Sequence, residues 1–403
     1  MIKISWRNIW RNKMRSLIIM LSVALGIFAG IMVLSLYKGM INARIQTVIH
    51  AETGHLQIHD SSFKKDFEPI YVIKAGSDIV QYLRKMPEVK SIATRSVAMG
   101  MLSTTTGSAG IKINGIHHEE EIRVSQLDQK IKEGQPFSNG RQNQVYIGKK
   151  LADKMKLKTG SKLVLTCVDT SNQIVSAAFK VTAIYESDNA PLDEMNVYVR
   201  QATLNEMIGI GEQFHELAII VQSDAALDIV EANIAKRYKG YLIENWKTLS
   251  PETDLMVNTI DITSYIIIGI ILFALAFGII NTMLMAILER TREIGMMMAL
   301  GMNKTKLFLL VLLETFFLTM MGVPVGLMAS WLLANYYRKH GFNWGETEKE
   351  MMSRFGFNTT IYTSFPSEKV LMVILFVVLA AVLSCIYPSI KALQLKPVDA
   401  LRK

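Results

Sequence analysis

The chain has 403 residues, half of them apolar, and a formal charge of +9 at neutral pH. Its mean hydropathy is positive, at +0.25. Its two cysteines, Cys167 and Cys385, exclude a disulfide framework and a cysteine metal site.

The first predicted element is an amphipathic helix at residues 1–16. A basic set recurs every four residues, at Lys3, Arg7, Arg11 and Arg15. One position back, an apolar set recurs every three or four residues, at Trp6, Trp10, Met14 and Leu17. On a helix these sets form adjacent stripes. A basic residue beside anionic lipid gains about 1 kcal/mol, which favours a helix lying on the membrane surface. A positively charged flank without defined structure is the alternative.

Four long apolar blocks follow, and each supplies the roughly 20 helical residues that cross a bilayer. They predict transmembrane helices at residues 17–41, 260–288, 306–335 and 369–388. A cleaved signal peptide is the alternative for the first block. Its apolar run exceeds the roughly 7 to 15 residues of such signals, and residues 38–41 offer no small-residue cleavage site. We therefore expect a retained helix.

The distribution of Lys and Arg beside these helices predicts their orientation. Basic residues are concentrated in the N-terminal segment, in residues 289–305 and in the tail at 389–403. These parts and both termini are therefore expected in the cytoplasm, in a multi-pass protein of the cell inner membrane. Residues 42–259 and the loop at 336–368 are expected on the outer side. The net positive charge of the chain is explained by the basic residues that orient its helices in the membrane. Nucleic acid is therefore not an expected partner.

The segment at residues 42–259 has a different pattern from the apolar blocks. Short β-branched or alternating stretches lie between turn residues, and they are separated by helical patterns such as Lys149–Met155 and Gln201–Ile208. The segment is large enough for its own core. The predicted fold class is therefore a membrane protein with four transmembrane α-helices and a large α+β extracytoplasmic (periplasmic) domain inserted between helices 1 and 2.

Motifs for catalysis and nucleotide binding are absent from the sequence. There is no G-x-x-x-x-G-K-[ST] phosphate loop, no H-E-x-x-H zinc motif and no G-x-S-x-G elbow. The run from His117 to Glu121 resembles a metal-binding set in composition, but adjacent residues point apart, so a solvated face is expected instead. We predict no catalytic residue, no metal site and no cofactor on this chain.

Polar and small residues within the apolar blocks suggest roles in packing. Glu314 is costly in an apolar run unless it is paired or wetted, so it is predicted to face the bundle or the cytoplasmic interface and to tether residues 289–305. A direct contact with substrate is the alternative. Asn281 is expected to hydrogen-bond between helices. Glycines four residues apart allow close helix approach, in a dimer seam or within the subunit; they are Gly26, Gly30, Gly322 and Gly326.

Four segments carry a family resemblance. INTMLMAILERTREIG at 280–295, followed by ALG at 299–301, resembles the second-helix and coupling-helix signature of the MacB, LolC/LolE and FtsX permeases of ABC transporters. SWRNIWRNKMRS at 5–16 is similar to the start of LolE-like members. TGHLQIHD at 53–60 and YPSIKALQLKPVDALR at 387–402 resemble further family segments.

The resemblance implies a partner ATPase, similar to LolD, that binds ATP and magnesium and grips a cytoplasmic coupling helix. It also implies a second permease copy or a paralogue. By residue match, the coupling helix would use Glu289, Arg290, Arg292, Glu293, Ile294, Gly295, Leu300 and Gly301. Met298 departs from the family, which usually carries Arg or Lys there.

Three functions are compatible with the resemblance. The leading one is release of lipoproteins from the inner membrane to a periplasmic carrier, favoured by the LolE-like start, the large outer domain and the lack of a fused ATPase. The second is MacB-like efflux of drugs or peptides with a periplasmic adaptor. The third is FtsX-like regulation of a cell-wall hydrolase, although FtsX-like outer domains are usually smaller.

Overall fold

The computed structural model describes residues 2–11, 13–137, 143–343, 345–357 and 360–393. The side chain of Arg15 and most of the predicted tail at 389–403 lie outside the described residues. The chain divides into two compact units. The first, the helical bundle, contains Met1–Ile41, Asn258–Phe342 and Thr360–Lys403; the second, the inserted domain, contains Asn42–Val257 and Asn343–Thr359.

The described elements are as follows. The helices are α1 (Ile2–Arg11), α2 (Lys13–Thr47, continued by a π-helical turn at Val48–Thr53), α3 (Phe63–Asp66), α4 (Gly76–Arg84), α5 (His118–Ser125), α6 (Leu127–Lys130), α7 (Lys149–Met155), α8 (Ala190–Met195), α9 (Gln201–Ile208), α10 (Asp224–Arg237), α11 (Trp246–Leu249), α12 (Pro251–Glu289), α13 (Thr291–Ala299), α14 (Lys304–His340), α15 (Glu346–Arg354) and α16 (Ser367–Leu393). The strands are β1 (Leu56–Asp60), β2 (Val89–Thr104), β3 (Gly107–Ile116), β4 (Ile131–Gly134), β5 (Gln144–Gly148), β6 (Lys162–Val168), β7 (Ile174–Tyr185), β8 (Asn196–Arg200), β9 (Glu216–Val221), β10 (Tyr241–Asn245), β11 (Phe342–Asn343) and β12 (Thr360–Ile361).

Within the described residues, four helices are long and apolar enough to cross a membrane: α2, α12, α14 and α16. With the α+β domain between the first and the second, they confirm the expected fold class. The helices are longer than the predicted transmembrane segments. α12 already begins at Pro251 and α14 continues to His340, because a hydropathy pattern marks only the apolar part of a continuous helix. α1 ends at Arg11, so residues 13–16 belong to α2.

α14 approaches α2 closely at two of the predicted glycines. A Cβ atom on Gly322 would lie 2.8 Å from the carbonyl oxygen of Met20, and one on Gly326 would lie 2.6 Å from that of Ala24. Only hydrogen fits at these positions. The two contacts also align the helices in parallel, so that residues near 314 of α14 lie level with the beginning of α2.

The other glycine pair faces different helices of the same chain. A Cβ atom on Gly26 would lie 3.2 Å from Leu275 of α12, and one on Gly30 would lie 3.6 Å from Val373 of α16. Packing within the chain therefore accounts for both pairs, and no dimer seam is needed to explain them.

The inserted domain is built on one mixed sheet. In the described part of the domain the strand order is β10-β1-β9-β2-β3-β8-β5-β7-β4, with β6 paired to β2 and β7. Helices α4 and α10 pack on one apolar core with β1 and β9, and helices α7 and α9 pack on a second with β5 and β8. The predicted helices Lys149–Met155 and Gln201–Ile208 have the expected bounds.

A buried ion-pair network occupies the middle of this sheet. Arg95 of β2 binds Glu121 through Nε and Nη2, at 2.9 and 2.7 Å, and Glu216 through Nη1 at 2.7 Å. Burial by itself would lower the pKa of Arg95, but the two carboxylates raise it above its ordinary value. The prediction of a solvated face is therefore wrong for Glu121, which is completely buried. Sequence alone did not show that its cation comes from a distant strand.

Candidate functional site

Helix α13 is a short helix that connects the two long helices α12 and α14. α12 ends at Glu289, and Arg290 leaves helical geometry, with φ −102° and ψ 16°. The Thr291 hydroxyl donates to the carbonyl of Leu288 at 2.8 Å, which satisfies an acceptor freed by the break. At the other end Gly301 adopts φ 87°, a conformation favoured by glycine. Asn303 then caps α14 by accepting from the Thr305 amide.

The inner side of α13 is apolar and buried. Ile294 and Gly295 are the buried residues of this helix. Ile294 belongs to the bundle core together with Ile9 of α1, Ile287 of α12 and Leu307 of α14. α13 is therefore a packed part of the bundle and not a loose connection.

Ion pairs hold the same helix at its first turn. Arg290 Nε donates to Glu293 Oε2 at 2.9 Å, and Arg290 Nη1 lies 3.4 Å from Glu314 Oε2 of α14. Arg11 of α1 also donates to Glu293. Burial would raise the pKa of Glu293, but the hydrogen bonds from Arg290 and Arg11 outweigh it and hold the pKa below its usual value. Glu293 therefore stays ionised at neutral pH.

A small cavity of about 20 Å³ lies beside the Arg290–Glu314 pair, with mostly apolar walls that include Met283 and Leu310. A space of this size admits about one water molecule. Glu314, with 3% of its side chain exposed, is thus enclosed by the bundle. It does not line a wide aqueous path.

Helix α1 packs beside this site. The Ser5 hydroxyl donates to the carbonyl of Leu310 at 3.4 Å, and the Trp6 ring meets Phe317 edge to face with centroids 6.0 Å apart. Both partners belong to α14. α1 therefore lies against the end of α14 that carries α13.

The outer side of α13 is exposed and largely apolar. Met296 is 51% exposed and Leu300 is 83% exposed, and Arg292 precedes them on the same face. Each is four positions from the next, and Leu300 directly follows the last residue of α13, so the three form one row along the helix and its C-terminal end. We call Arg292, Met296 and Leu300 the α13 face.

The predicted coupling residues divide into two groups. Those exposed to solvent are Glu289, Arg292, Leu300 and Gly301. Those turned toward other parts of the bundle are Arg290, Glu293, Ile294 and Gly295. Met298, where the family usually has a basic residue, is partly buried against the apolar core.

Other predicted residues lie apart from this site. Asn281 is exposed on the surface of α12. Lys3 and Arg7 are exposed on α1. Among the described residues, no group of three or more His, Cys, Asp or Glu is arranged to hold a metal ion.

Two features of the site were missed from the sequence. The Arg11–Glu293 contact joins residues 282 positions apart, and no local pattern signals such a pair. Met296 was not predicted, although its position four residues from both Arg292 and Leu300 places all three on one side of a helix. That spacing was sufficient to find it.

Comparison with known proteins gives matches along most of the chain. The model of the MacB-like periplasmic core domain matches residues 16–237, more than half of the chain, and that of the FtsX-like permease C-terminal region matches residues 265–397. Among solved structures, the periplasmic region of MacB from Actinobacillus actinomycetemcomitans matches 52% of this chain and 95% of its own, with a TM-score of 0.37 and 15% identity.

Three curated relatives illustrate the range of the similarity. An uncharacterized ABC transporter permease of Methanocaldococcus jannaschii is 24% identical over 57% of this chain and 56% of its own length. The macrolide export ATP-binding/permease protein MacB of Campylobacter jejuni is 24% identical over 57% of this chain and 34% of its own length. The lipoprotein-releasing system transmembrane protein LolC of Xylella fastidiosa is 21% identical over 72% of both chains.

The chain therefore spans about half the length of the first of these relatives and about a third of MacB. Since family models match both the first helix with its inserted domain and the helices that follow, the chain belongs to the MacB/FtsX family of ABC transporter permeases.

Proposed function

We propose that this permease takes up force from an ATPase subunit at the α13 face and uses it to release lipoproteins from the inner membrane. The observation that carries the first part is the position of two exposed apolar side chains, Met296 and Leu300, on a helix that is fixed to the bundle from behind. An apolar row on one side of a short helix suits binding in a groove. No phosphate loop occurs in the 403 residues, so the nucleotide site lies outside them.

The ion pairs support transmission of force. A helix that only docked would need no internal attachment, whereas α13 is bound to α14 through Arg290 and to α1 through Glu293. A push on its outer side would therefore reach two other helices directly. We place α13 and both termini in the cytoplasm because the basic residues beside the helices favour that side.

Release of lipoproteins is supported by the similarity to LolC, which extends over 72% of both chains. The cargo would be a lipid-anchored protein, and a periplasmic carrier and a second permease copy or paralogue would complete the system. The enclosed Glu314 also favours a mechanism in which no polar substrate passes through this bundle.

Depletion of the protein tests this function directly. We expect lipoproteins to accumulate in the inner membrane, measured by membrane fractionation and labelling of the lipid anchor. Purification of the full chain from membranes should recover an ATPase. Normal lipoprotein sorting after depletion would contradict the release function. Recovery of an ATPase with the purified chain would still support the proposed role of α13.

Export of a macrolide-like compound is the second candidate, because the MacB relative matches 57% of the chain and the model of the MacB-like core domain matches residues 16–237. Normal lipoprotein sorting combined with new macrolide sensitivity would transfer the assignment to export. Normal sorting combined with a cell-separation defect would favour regulation of a cell-wall hydrolase.

A further inference from the structure

Helix α1 presents three different faces. Ser5, Asn8 and Ile9 are buried, and the contacts of Ser5 with Leu310 and of Trp6 with Phe317 show that this side packs on α14. The other two faces carry mostly exposed side chains and differ in chemistry. The question is what covers them.

The second face is apolar and exposed. It carries Ile2, Trp6 and Trp10, and the rings of Trp6 and Trp10 meet edge to face with centroids 6.4 Å apart. Tryptophan is enriched where membrane and water meet, because its ring is apolar while its N–H needs a polar partner. α1 is followed directly in the chain by α2, so this face lies next to the start of a transmembrane helix.

The third face is basic. Lys3 and Arg7 are exposed and make no ion pair with another described residue. No acidic residue occurs among the first fifteen positions. Charge complementarity therefore requires a negatively charged partner that is present along the whole length of the helix, which an anionic bilayer surface supplies.

The next basic residue along α1, Arg11, has a different role. It is bound to Glu293, which is bound in turn to Arg290 at 2.9 Å. One ion pair therefore joins α1 to α13, and a second continues from Glu293 to Arg290, the residue just before α13. Whatever holds α1 in place also holds the first turn of α13.

We propose that anionic phospholipid binds the basic face of α1 through Lys3 and Arg7 and, by way of Arg11 and Glu293, fixes the position of α13. The charge of the membrane surface then regulates the helix to which we assign ATPase docking, and this consequence rests on the proposed function. Two basic residues near an anionic surface strengthen attachment about thirtyfold. That factor is the upper bound for the effect on α13.

Hydrogen exchange of the full chain in lipid nanodiscs tests the inference without any ATPase. The probe is a bilayer of phosphatidylcholine alone, compared with an equimolar mixture of phosphatidylcholine and phosphatidylglycerol. We expect residues 291–299 to exchange up to about thirtyfold more slowly in the anionic bilayer. The double variant Lys3→Glu, Arg7→Glu should lose this difference. Lys339→Glu, an exposed change at the other end of α14, should retain it.

A second variant tests the path. Arg11→Gln should leave α1 itself protected in the anionic bilayer but remove the effect on α13. Exchange of α13 that does not depend on lipid charge would overturn the proposal, as would a lipid effect that survives in the Lys3→Glu, Arg7→Glu variant. Protection of α1 that appears only when an acidic protein partner is added would assign this face to that partner instead. A missing ATPase interaction would leave these exchange results unchanged and would count against the proposed function alone.

Discussion

Arg290 Nη1 lies 3.4 Å from Glu314 Oε2, and this contact joins the start of α13 to the N-terminal third of α14. Arg290 is the last residue before α13 and also binds Glu293. A single guanidinium thus fixes the short helix to itself and to a transmembrane helix. Its loss should have a larger effect than the loss of either carboxylate.

The first prediction follows from that difference. Arg290→Leu removes both contacts, of which the one with Glu314 is buried and the one with Glu293 is partly exposed. Breaking a buried ion pair costs about 3 to 5 kcal/mol, so α13 should open far more often. Glu314→Gln removes the charge of one partner and leaves the Arg290–Glu293 pair in place, so its effect should be smaller. Hydrogen exchange of residues 291–299 in the full chain measures both. Arg292→Leu, an exposed change on the same helix, is the control and should leave exchange unaltered. Equal exchange rates of residues 291–299 in Arg290→Leu and Arg292→Leu would show that Arg290 does not hold α13 to α14.

The second prediction concerns the contact of α14 with α2. Gly326→Ala would place a Cβ atom 2.6 Å from the carbonyl oxygen of Ala24 and should destabilise the bundle by about 1 to 3 kcal/mol. Gly278→Ala is the matched control, because a Cβ atom there has nothing within 4 Å. Thermal unfolding in detergent compares the two. A loss of stability for Gly278→Ala as large as that for Gly326→Ala would contradict the close approach.

The third prediction concerns the buried charges of the inserted domain. Arg95→Leu leaves Glu121 and Glu216 without their guanidinium, at a cost of about 3 to 5 kcal/mol. Arg84→Leu breaks an exposed pair with Glu120 and should cost less than about 1 kcal/mol. Urea unfolding of the full chain, followed through hydrogen exchange of β2, ranks the two variants. Similar midpoints for both would show that the network is dispensable.

The fourth prediction concerns pH. His215 Nδ1 accepts from the Val97 amide at 3.0 Å and Nε2 donates to the Pro69 carbonyl at 3.0 Å, so the ring is neutral. Burial lowers the pKa of His215 to about 4 from 6.5. Below pH 6.5, His215 therefore binds a proton in the unfolded chain but stays neutral in the folded domain until the pH approaches 4. The contribution of the neutral His215 to the free energy of unfolding should be fully present above pH 6.5 and should fall by about 3 kcal/mol as the pH drops toward 4.

Asp193 makes a contribution to stability whose dependence on pH has the opposite sign to that of His215. Burial raises the pKa of Asp193 to about 7, despite hydrogen bonds from Ser187. The folded domain thus binds the proton more tightly, and this contribution to stability falls as the pH rises from about 4 to 7. His215→Gln should flatten the loss of stability on acidification, and Asp193→Asn should steepen it. The free energy of unfolding of both variants is measured over a series of pH values. Identical pH profiles for the two variants would disprove the opposite effects of His215 and Asp193.

Much of the architecture follows from the sequence because hydropathy and charge are local properties. The four transmembrane helices and several helices of the inserted domain were predicted, and α7 and α9 agree to the residue. Contacts between distant residues were not. Glu121 was expected in solvent because nothing near it in the sequence reveals Arg95, which the sheet brings to it.

The candidate site shows the same division. The segment at 289–305 was identified by its resemblance to a family signature, and the helix itself lies at Thr291–Ala299. The sequence did not distinguish residues that face outward, such as Leu300, from those that hold the helix, such as Glu293. That distinction depends on where α1 and α14 lie.

The central claim is that the α13 face binds the ATPase. The most direct test is recovery of the ATPase with the purified full-length double variant Met296→Asp, Leu300→Asp. Met195→Asp is the matched control, since Met195 is also 51% exposed but belongs to the inserted domain. Loss of apolar anchors costs about 2 kcal/mol or more, or over tenfold in affinity. We predict that the double variant loses the ATPase while Met195→Asp retains it; undiminished recovery with the double variant would contradict the account.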